Sequence, residues 1–181
     1  MKNKVNYIYG TFIVIIGAFL FFAGYSSFIP LKNGLGYSMV AGAIIAFFEA
    51  MSRRRKQVEF SYHAMHALAL LIYGLSILSL VETLEDIRKF SFFLFIFYTF
   101  SEIIFSNWLF NLSRGVVLKI VFIRVFLGLL VGVASIFLMF YKELSDTNVI
   151  EGYGVVFIII GVNIILYEPV MNKKEINELE E

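Results

Sequence analysis

Residues 122–141 read FIRVFLGLLVGVASIFLMFY, a run of twenty residues with one charged side chain, Arg124. About twenty consecutive apolar residues are needed for an α-helix, rising about 1.5 Å per residue, to cross the hydrocarbon core of a bilayer. A membrane-spanning β-strand would alternate apolar and polar residues, and this run does not. The stretch therefore predicts a transmembrane helix.

The rest of the chain repeats this pattern. The sequence is 60% apolar and 16% charged, whereas soluble proteins are about 45–50% apolar and about 25% charged. Pro30 and Gly34 are expected to separate the first two segments, and short charged stretches separate the others. We predict an all-α, polytopic membrane protein with six transmembrane helices, at about 7–29, 34–51, 64–82, 89–110, 122–141 and 152–170.

Composition also argues against several classes of function. The chain has no cysteine, which excludes disulfides, thiolate metal sites and cysteine nucleophiles. Its net charge of +1 gives no general attraction to nucleic acid. No phosphate-binding loop, zinc signature or nucleophile motif occurs. We therefore expect no catalytic residues, cofactor, metal or nucleic-acid partner, and no small-molecule substrate is identifiable. The expected partner is the lipid bilayer, and homo-oligomerisation is left open.

Lysine and arginine gather on one predicted side of the membrane, and cytoplasmic loops carry the excess of these residues. The other side holds only Lys32, Arg88, Lys89 and Lys142. Both termini are thus predicted to be cytoplasmic, in the plasma (inner) membrane, with residues 172–181 as a polar cytoplasmic tail. The first side collects Lys2, Lys4, Arg53, Arg54, Arg55, Lys56, Arg114, Lys119, Lys173 and Lys174.

Two segments have special interpretations. The N-terminal run 7–29 is too long for a signal-peptide core and lacks a clean cleavage site, so it is predicted to remain as the first helix. Residues 109–121 are less apolar than the spans around them. They could form a short interfacial helix or the cytoplasmic end of the fifth span.

An internal repeat is predicted from the positions of glycines. Gly17, Gly74 and Gly132 lie near the middle of the first helix of each predicted hairpin, 57 and 58 residues apart. The segments from Gly42 to Glu49 and from Gly161 to Glu168 share a seven-residue step from glycine to glutamate. The single domain, 1–171, would then consist of three tandem hairpins at about 7–51, 64–110 and 122–170. Chance is the alternative, because glycine is common in membrane helices.

Three tandem hairpins with glycine in the middle of a helix resemble the HdeD-type acid-resistance membrane proteins, which are built from a short repeat of unknown function. The resemblance covers nearly the whole chain and is one of architecture. Of the family's helix-ending prolines only Pro30 fits, and the single tryptophan, Trp108, does not open a helix. The resemblance implies a six-helix inner-membrane protein linked to acid or general stress, without an established biochemical activity.

Glu102 is the leading candidate for chemistry, because it lies close to the middle of the fourth predicted span. Burial in a membrane disfavours the charged form of a carboxylate. Glu102 is therefore expected to be protonated, or paired with Arg124 or His66. A structural acid that fixes helix packing and a proton- or ion-handling acid are both open.

Glu49 and Glu168 lie near the cytoplasmic ends of their spans, and Glu49 is four residues before Arg53, the spacing of a helical ion pair. In a pseudo-threefold bundle, Glu49, Glu102 and Glu168 could converge on one acidic cluster. His63 and His66 are placed at the start of the third span. They could be interfacial anchors or an acid sensor, and two histidines alone do not make a metal site.

Two hypotheses of function result. The first is a non-enzymatic membrane protein that contributes to acid or general stress tolerance, with Glu102, Glu49, Glu168, His66 and Arg124 as candidate proton-handling residues. The second is a small transporter or channel with a proton-coupled step at Glu102, since repeated hairpins and a buried acid also occur in transporters.

Overall fold

The computed structural model describes residues 5–23, 28–55, 57–112, 116–141 and 143–166. The described residues form helices and the turns between them, and no strand occurs among them. The predicted all-helical fold is confirmed. Its six helices are α1 (Val5–Ala23), α2 (Phe28–Ser52), α3 (Gln57–Leu80), α4 (Leu84–Leu112), α5 (Val116–Phe140) and α6 (Asp146–Ile165).

The lengths and surfaces of these helices suit a membrane. Helices α2 to α6 are long and apolar enough to cross a bilayer, and the apolar part of α1, Tyr7–Ala23, is shorter. Large apolar side chains also cover the outside of the bundle: Phe22 is 79% exposed, and Phe93 and Ile104 are each 68% exposed. Such a wide apolar surface is stable against lipid and not against water. The chain is a multi-pass helical membrane protein.

The helices form a closed ring in chain order, because each helix packs against the next and α6 packs back against α1. Three interfaces are much closer than the others: α1 with α6, α2 with α3, and α4 with α5. Each of these joins two different predicted hairpins. The predicted hairpin partners, such as α3 and α4, touch less extensively. A continuous apolar core with side chains from all six helices fills the ring.

Glycines make the closest interface, between α1 and α6, possible. A Cβ atom on Gly17 would lie 2.6 Å from the carbonyl oxygen of Gly154, and one on Gly161 would lie 2.7 Å from that of Gly10. Real Cβ atoms do not approach a carbonyl this closely, so only glycine lets the two backbones meet. Close backbone approach gains the dispersion contacts that hold helices together in lipid.

The three glycines of the predicted repeat occupy comparable places in this ring. Gly17 faces α6, Gly74 faces Gly36 of α2, and Gly132 faces Thr99 of α4. Each therefore lies in one of the three close interfaces. The repeat itself stays a prediction from the sequence.

Several predicted boundaries are wrong. Pro30 and Gly34 do not separate two spans but lie inside α2, Pro30 in its first turn. Proline is tolerated there because the first backbone N–H groups of a helix have no intrahelical acceptor to lose. The predicted first span, 7–29, therefore includes the start of α2, while residues 24–27 lie outside the described part of the chain.

The third helix also begins earlier than predicted, at Gln57, so His63 and His66 lie within α3 and not at its start. Of the uncertain segment 109–121, the first four residues end α4 and the last six begin α5. The interpretation as an end of the fifth span therefore holds for residues 116–121 and is wrong for residues 109–112, which belong to the fourth helix. The predicted tail, 172–181, lies outside the described residues.

Candidate functional site

The centre of the candidate site is an ion pair between α4 and α5. Arg124 Nη2 donates to both carboxylate oxygens of Glu102, at 3.0 Å to Oε1 and 2.8 Å to Oε2. Both side chains have no exposed surface. Glu102 lies four residues beyond the middle of α4, about 6 Å along the helix axis. Of the partners considered for Glu102, the structure thus selects Arg124.

A glycine one turn after Arg124 brings the two helices close enough for this pair. A Cβ atom on Gly128 would lie 3.1 Å from Cβ of Glu102. On the same side, the one proton of the Thr99 hydroxyl has two acceptors within reach, the carbonyl oxygens of Phe95 at 2.9 Å and Gly128 at 3.0 Å. The α4–α5 contact is therefore built around the ion pair.

Tyr62 of α3 completes the immediate surroundings of the pair. Its hydroxyl donates to Oε1 of Glu102 and accepts from Nη2 of Arg124 at 3.0 Å. The guanidinium carbon of Arg124 lies 5.8 Å from the centre of the Tyr62 ring and 5.7 Å from that of Phe105. At these distances the aromatic faces stabilise the buried cation. Three helices thus hold one neutral, hydrogen-bonded charge pair.

Further polar side chains extend this network across the ring. His66 Nε2 lies 2.9 Å from the Ser101 hydroxyl. Asn163 of α6 donates to the Tyr98 hydroxyl at 2.8 Å and to the carbonyl oxygen of Arg124 at 3.4 Å. The His66 and Tyr98 rings are 5.4 Å apart. Side chains from α3, α4, α5 and α6 therefore meet in one buried polar cluster, which we call the central network.

A small cavity adjoins the central network. Its volume is about 30 Å³, and it is lined by Tyr9 of α1, His66, Tyr98 and apolar side chains. A cavity of that volume holds only one or two water-sized occupants. Among the described residues, no group of three or more His, Asp or Glu side chains is arranged to hold a metal ion.

A second charged cluster lies where α2 turns into α3. Arg53 is shared by Glu49, at 2.5 Å from Nε, and by Glu59, at 2.6 Å from Nη1. Burial opposes the charge of Arg53, but hydrogen bonds to Glu59 and Glu49 outweigh it and raise the pKa of Arg53 above its ordinary value. The ion pair predicted from the spacing of Glu49 and Arg53 is present. We call these three residues the turn cluster.

The candidate residues from the sequence are thus divided. Glu102, Arg124 and His66 belong to the central network, whereas Glu49 belongs to the turn cluster. Glu168 lies outside the described residues, so the proposed convergence of three glutamates stays a prediction. Both histidines are buried, with exposed fractions of 0% for His63 and 4% for His66. They are therefore not interfacial anchors.

His63 adjoins the central network, because its ring centre is 5.1 Å from that of Tyr62. Sequence analysis missed several members of the site. Polar residues inside an apolar run were the available signal, most clearly Asn163 in α6, but their orientation depends on how each helix is rotated. The missed members are Glu59, Tyr62, Tyr98, Ser101 and Asn163.

The chain was also compared with known proteins. No protein-family profile matches it, and no curated protein or solved structure matches it either. Its geometry alone therefore supports the interpretation of the site.

Proposed function

We propose that the chain is a non-enzymatic inner-membrane protein that contributes to acid tolerance, with Glu102 as its proton-handling residue. The supporting observation is the fully buried Glu102–Arg124 pair, whose carboxylate also accepts the Tyr62 hydroxyl. Arginine keeps its charge at any physiological pH, so only the carboxylate of this pair can take up a proton. The resemblance to HdeD-type proteins supplies the expected link to acid stress.

Protonation of Glu102 would change the balance of forces in the ring. A neutral Glu102 would remove the carboxylate charge that faces Arg124 among α3, α4 and α5. Leaving one partner of a buried pair alone costs about 3–5 kcal/mol. That cost is large enough to shift the ring to another arrangement, in which Arg124 finds a different partner. Acidification would thus be converted into a conformational change.

Acid survival tests this proposal. A strain that lacks the gene is complemented with wild type, with Glu102→Gln, or with Glu82→Gln, an exposed carboxylate between α3 and α4. We expect wild type and Glu82→Gln to restore survival at low pH and Glu102→Gln to fail at equal membrane levels. Rescue by Glu102→Gln would contradict the role of Glu102. Absence of any acid defect in the deletion strain would contradict the link to acid tolerance.

Proton-coupled transport is a second candidate function. It is favoured by the cavity of about 30 Å³ that lies beside His66 and Tyr98 inside the ring. A cavity of this volume admits nothing larger than a water molecule or a small ion, so a larger cargo would require an open conformation. Liposomes containing the purified protein and a pH-sensitive dye would reveal proton flux. Flux that Glu102→Gln abolishes supports transport, and absence of flux under an imposed gradient argues against it.

A further inference from the structure

The interface between α3 and α4 is loose and leaves a groove open to the outside of the ring. One half of the groove has a volume of about 480 Å³ and is lined by side chains such as Ile72, Phe93 and Phe97. The other half has a volume of about 260 Å³ and includes Trp108. Met65 lines both halves, so they form one groove.

This groove extends over most of the membrane. Phe90 lines one half and Trp108 the other, and the 18 residues between these positions on α4 correspond to about 27 Å of helix. The hydrocarbon core of a bilayer is about 30 Å thick. The walls of the groove are apolar and aromatic, and an empty groove would forfeit dispersion contacts. A hydrocarbon chain is therefore the natural occupant.

Positive charge marks one end of the groove. Arg54 and Arg55 are exposed in the turn that precedes α3. Ser61, which lines the 260 Å³ half, lies four residues after Gln57, the first residue of α3, about 6 Å along the helix axis. The headgroup layer on each side of a bilayer is about 5–7 Å deep, so the turn before α3 lies at the level of the headgroups when this half of the groove reaches the hydrocarbon. Two arginines at this level favour a lipid whose headgroup has a net negative charge over a lipid whose headgroup is zwitterionic.

We propose that the 260 Å³ half of the groove retains one anionic phospholipid from the leaflet on the side of the α2–α3 turn. Its phosphate binds Arg54 and Arg55, and one acyl chain lies against Tyr62, Phe105 and Trp108. The three aromatic rings stack in series, with centres 4.3 Å and 5.7 Å apart. Because the Tyr62 hydroxyl donates to Glu102, the bound chain also covers the central network on its lipid side.

Trp108 is the only tryptophan in the chain, so its fluorescence reports on this half of the groove alone. The full-length protein is reconstituted in phosphatidylcholine vesicles that contain a small fraction of brominated phosphatidylglycerol, or the same fraction of brominated phosphatidylcholine. Bromine quenches tryptophan on contact. We expect the anionic lipid to be preferred about thirtyfold at the site, the effect expected for two arginines that each contribute about 1 kcal/mol next to a net negative headgroup.

Two sets of variants separate the headgroup from the chain. Arg54→Gln/Arg55→Gln should remove the preference for phosphatidylglycerol and leave quenching by phosphatidylcholine. Ser61→Phe should fill the mouth of the groove and reduce quenching by both lipids. Ser79→Phe is the matched control, because Ser79 is also an exposed serine on α3 but does not line the groove. It should behave as wild type.

Three results would overturn the proposal. The first is equal quenching of wild-type Trp108 by both brominated lipids. The second is a preference that persists in Arg54→Gln/Arg55→Gln. The third is a second copy of the chain in place of the lipid. Since the protein has no cysteine, the variant Ile104→Cys introduces a single thiol at the groove. Efficient disulfide-linked dimers of this variant in the vesicles would show that protein, and not lipid, fills the groove.

Discussion

The central network and the turn cluster are both buried and charged, but they are built differently. In the central network, one carboxylate faces one guanidinium, and the side chains around them come from four helices, from Tyr62 of α3 to Asn163 of α6. In the turn cluster, one guanidinium serves two carboxylates within ten residues of one another, Glu49 to Glu59. The first cluster depends on the assembled ring, and the second on one local turn.

This difference indicates separate roles. The turn cluster fixes the geometry between α2 and α3, and the loss of one carboxylate leaves Arg53 with the other. In the central network, both oxygens that accept from Arg124 belong to one carboxylate, Glu102. Loss of the Glu102 charge should therefore perturb the central network more than loss of one carboxylate perturbs the turn cluster.

The largest effect is expected for Glu102→Gln. Arg124 would stay buried and charged without its carboxylate, and breaking a buried pair in this way lowers stability by about 3–5 kcal/mol. The free energy of unfolding in detergent, followed by circular dichroism, measures the loss.

The double variant Glu102→Gln/Arg124→Gln provides the control for this effect. Removing both charges leaves no isolated ion, so the double variant should be more stable than Glu102→Gln alone. If the double variant loses as much stability as Glu102→Gln and Arg124→Gln lose together, the two side chains do not interact in the way that their geometry indicates.

A smaller effect is expected for Glu59→Gln. Arg53 keeps its contact with Glu49, so the change removes one charged hydrogen bond and not the whole compensation of the cation. A hydrogen bond to a charged group contributes about 1.5–3 kcal/mol, and we expect a loss of stability at the lower end of that range. A loss as large as that of Glu102→Gln would remove the distinction between the two clusters.

Tyr62→Phe should have a smaller effect again, about 1 kcal/mol, because the ring remains in place and only one hydroxyl is lost. Its functional effect should exceed its effect on stability. Without the hydroxyl, the ion pair between Glu102 and Arg124 loses its hydrogen bonds to α3. Complementation at graded pH should therefore show a changed acid response of the Tyr62→Phe strain. An unchanged pH profile would exclude Tyr62 from the response.

The number and type of the helices could be predicted from the sequence, because twenty apolar residues in a row permit little else in a membrane. The start of α3 could not. Glu59 and His63 are polar, so they were excluded from the predicted span, yet the helix includes them and buries both. Polar residues cost little inside a membrane helix when another helix or turn supplies their partners.

The candidate site was predictable only in part. Glu102 and Arg124 were found because a charge within an apolar run is conspicuous. Tyr62 and Tyr98 were not found, since the chain has ten tyrosines and nothing local indicates which of them face inward. The closure of α1 onto α6 was also beyond the sequence. The glycine spacing predicted repeated helices, but not which pairs of helices would be closest.

The smallest effect is expected for an ion pair with the same sequence spacing as Glu49 and Arg53. Glu85 and Lys89 are also four residues apart and lie 2.9 Å from each other, but their side chains are 74% and 49% exposed. Those of Glu49 and Arg53 are 0% and 7% exposed. Lys89→Gln should therefore leave the unfolding midpoint unchanged within error, because solvent screens an exposed pair. Glu49→Gln, measured in parallel, should lower it. Equal effects in both variants would mean that spacing, and not burial, determines the strength of such pairs in this protein.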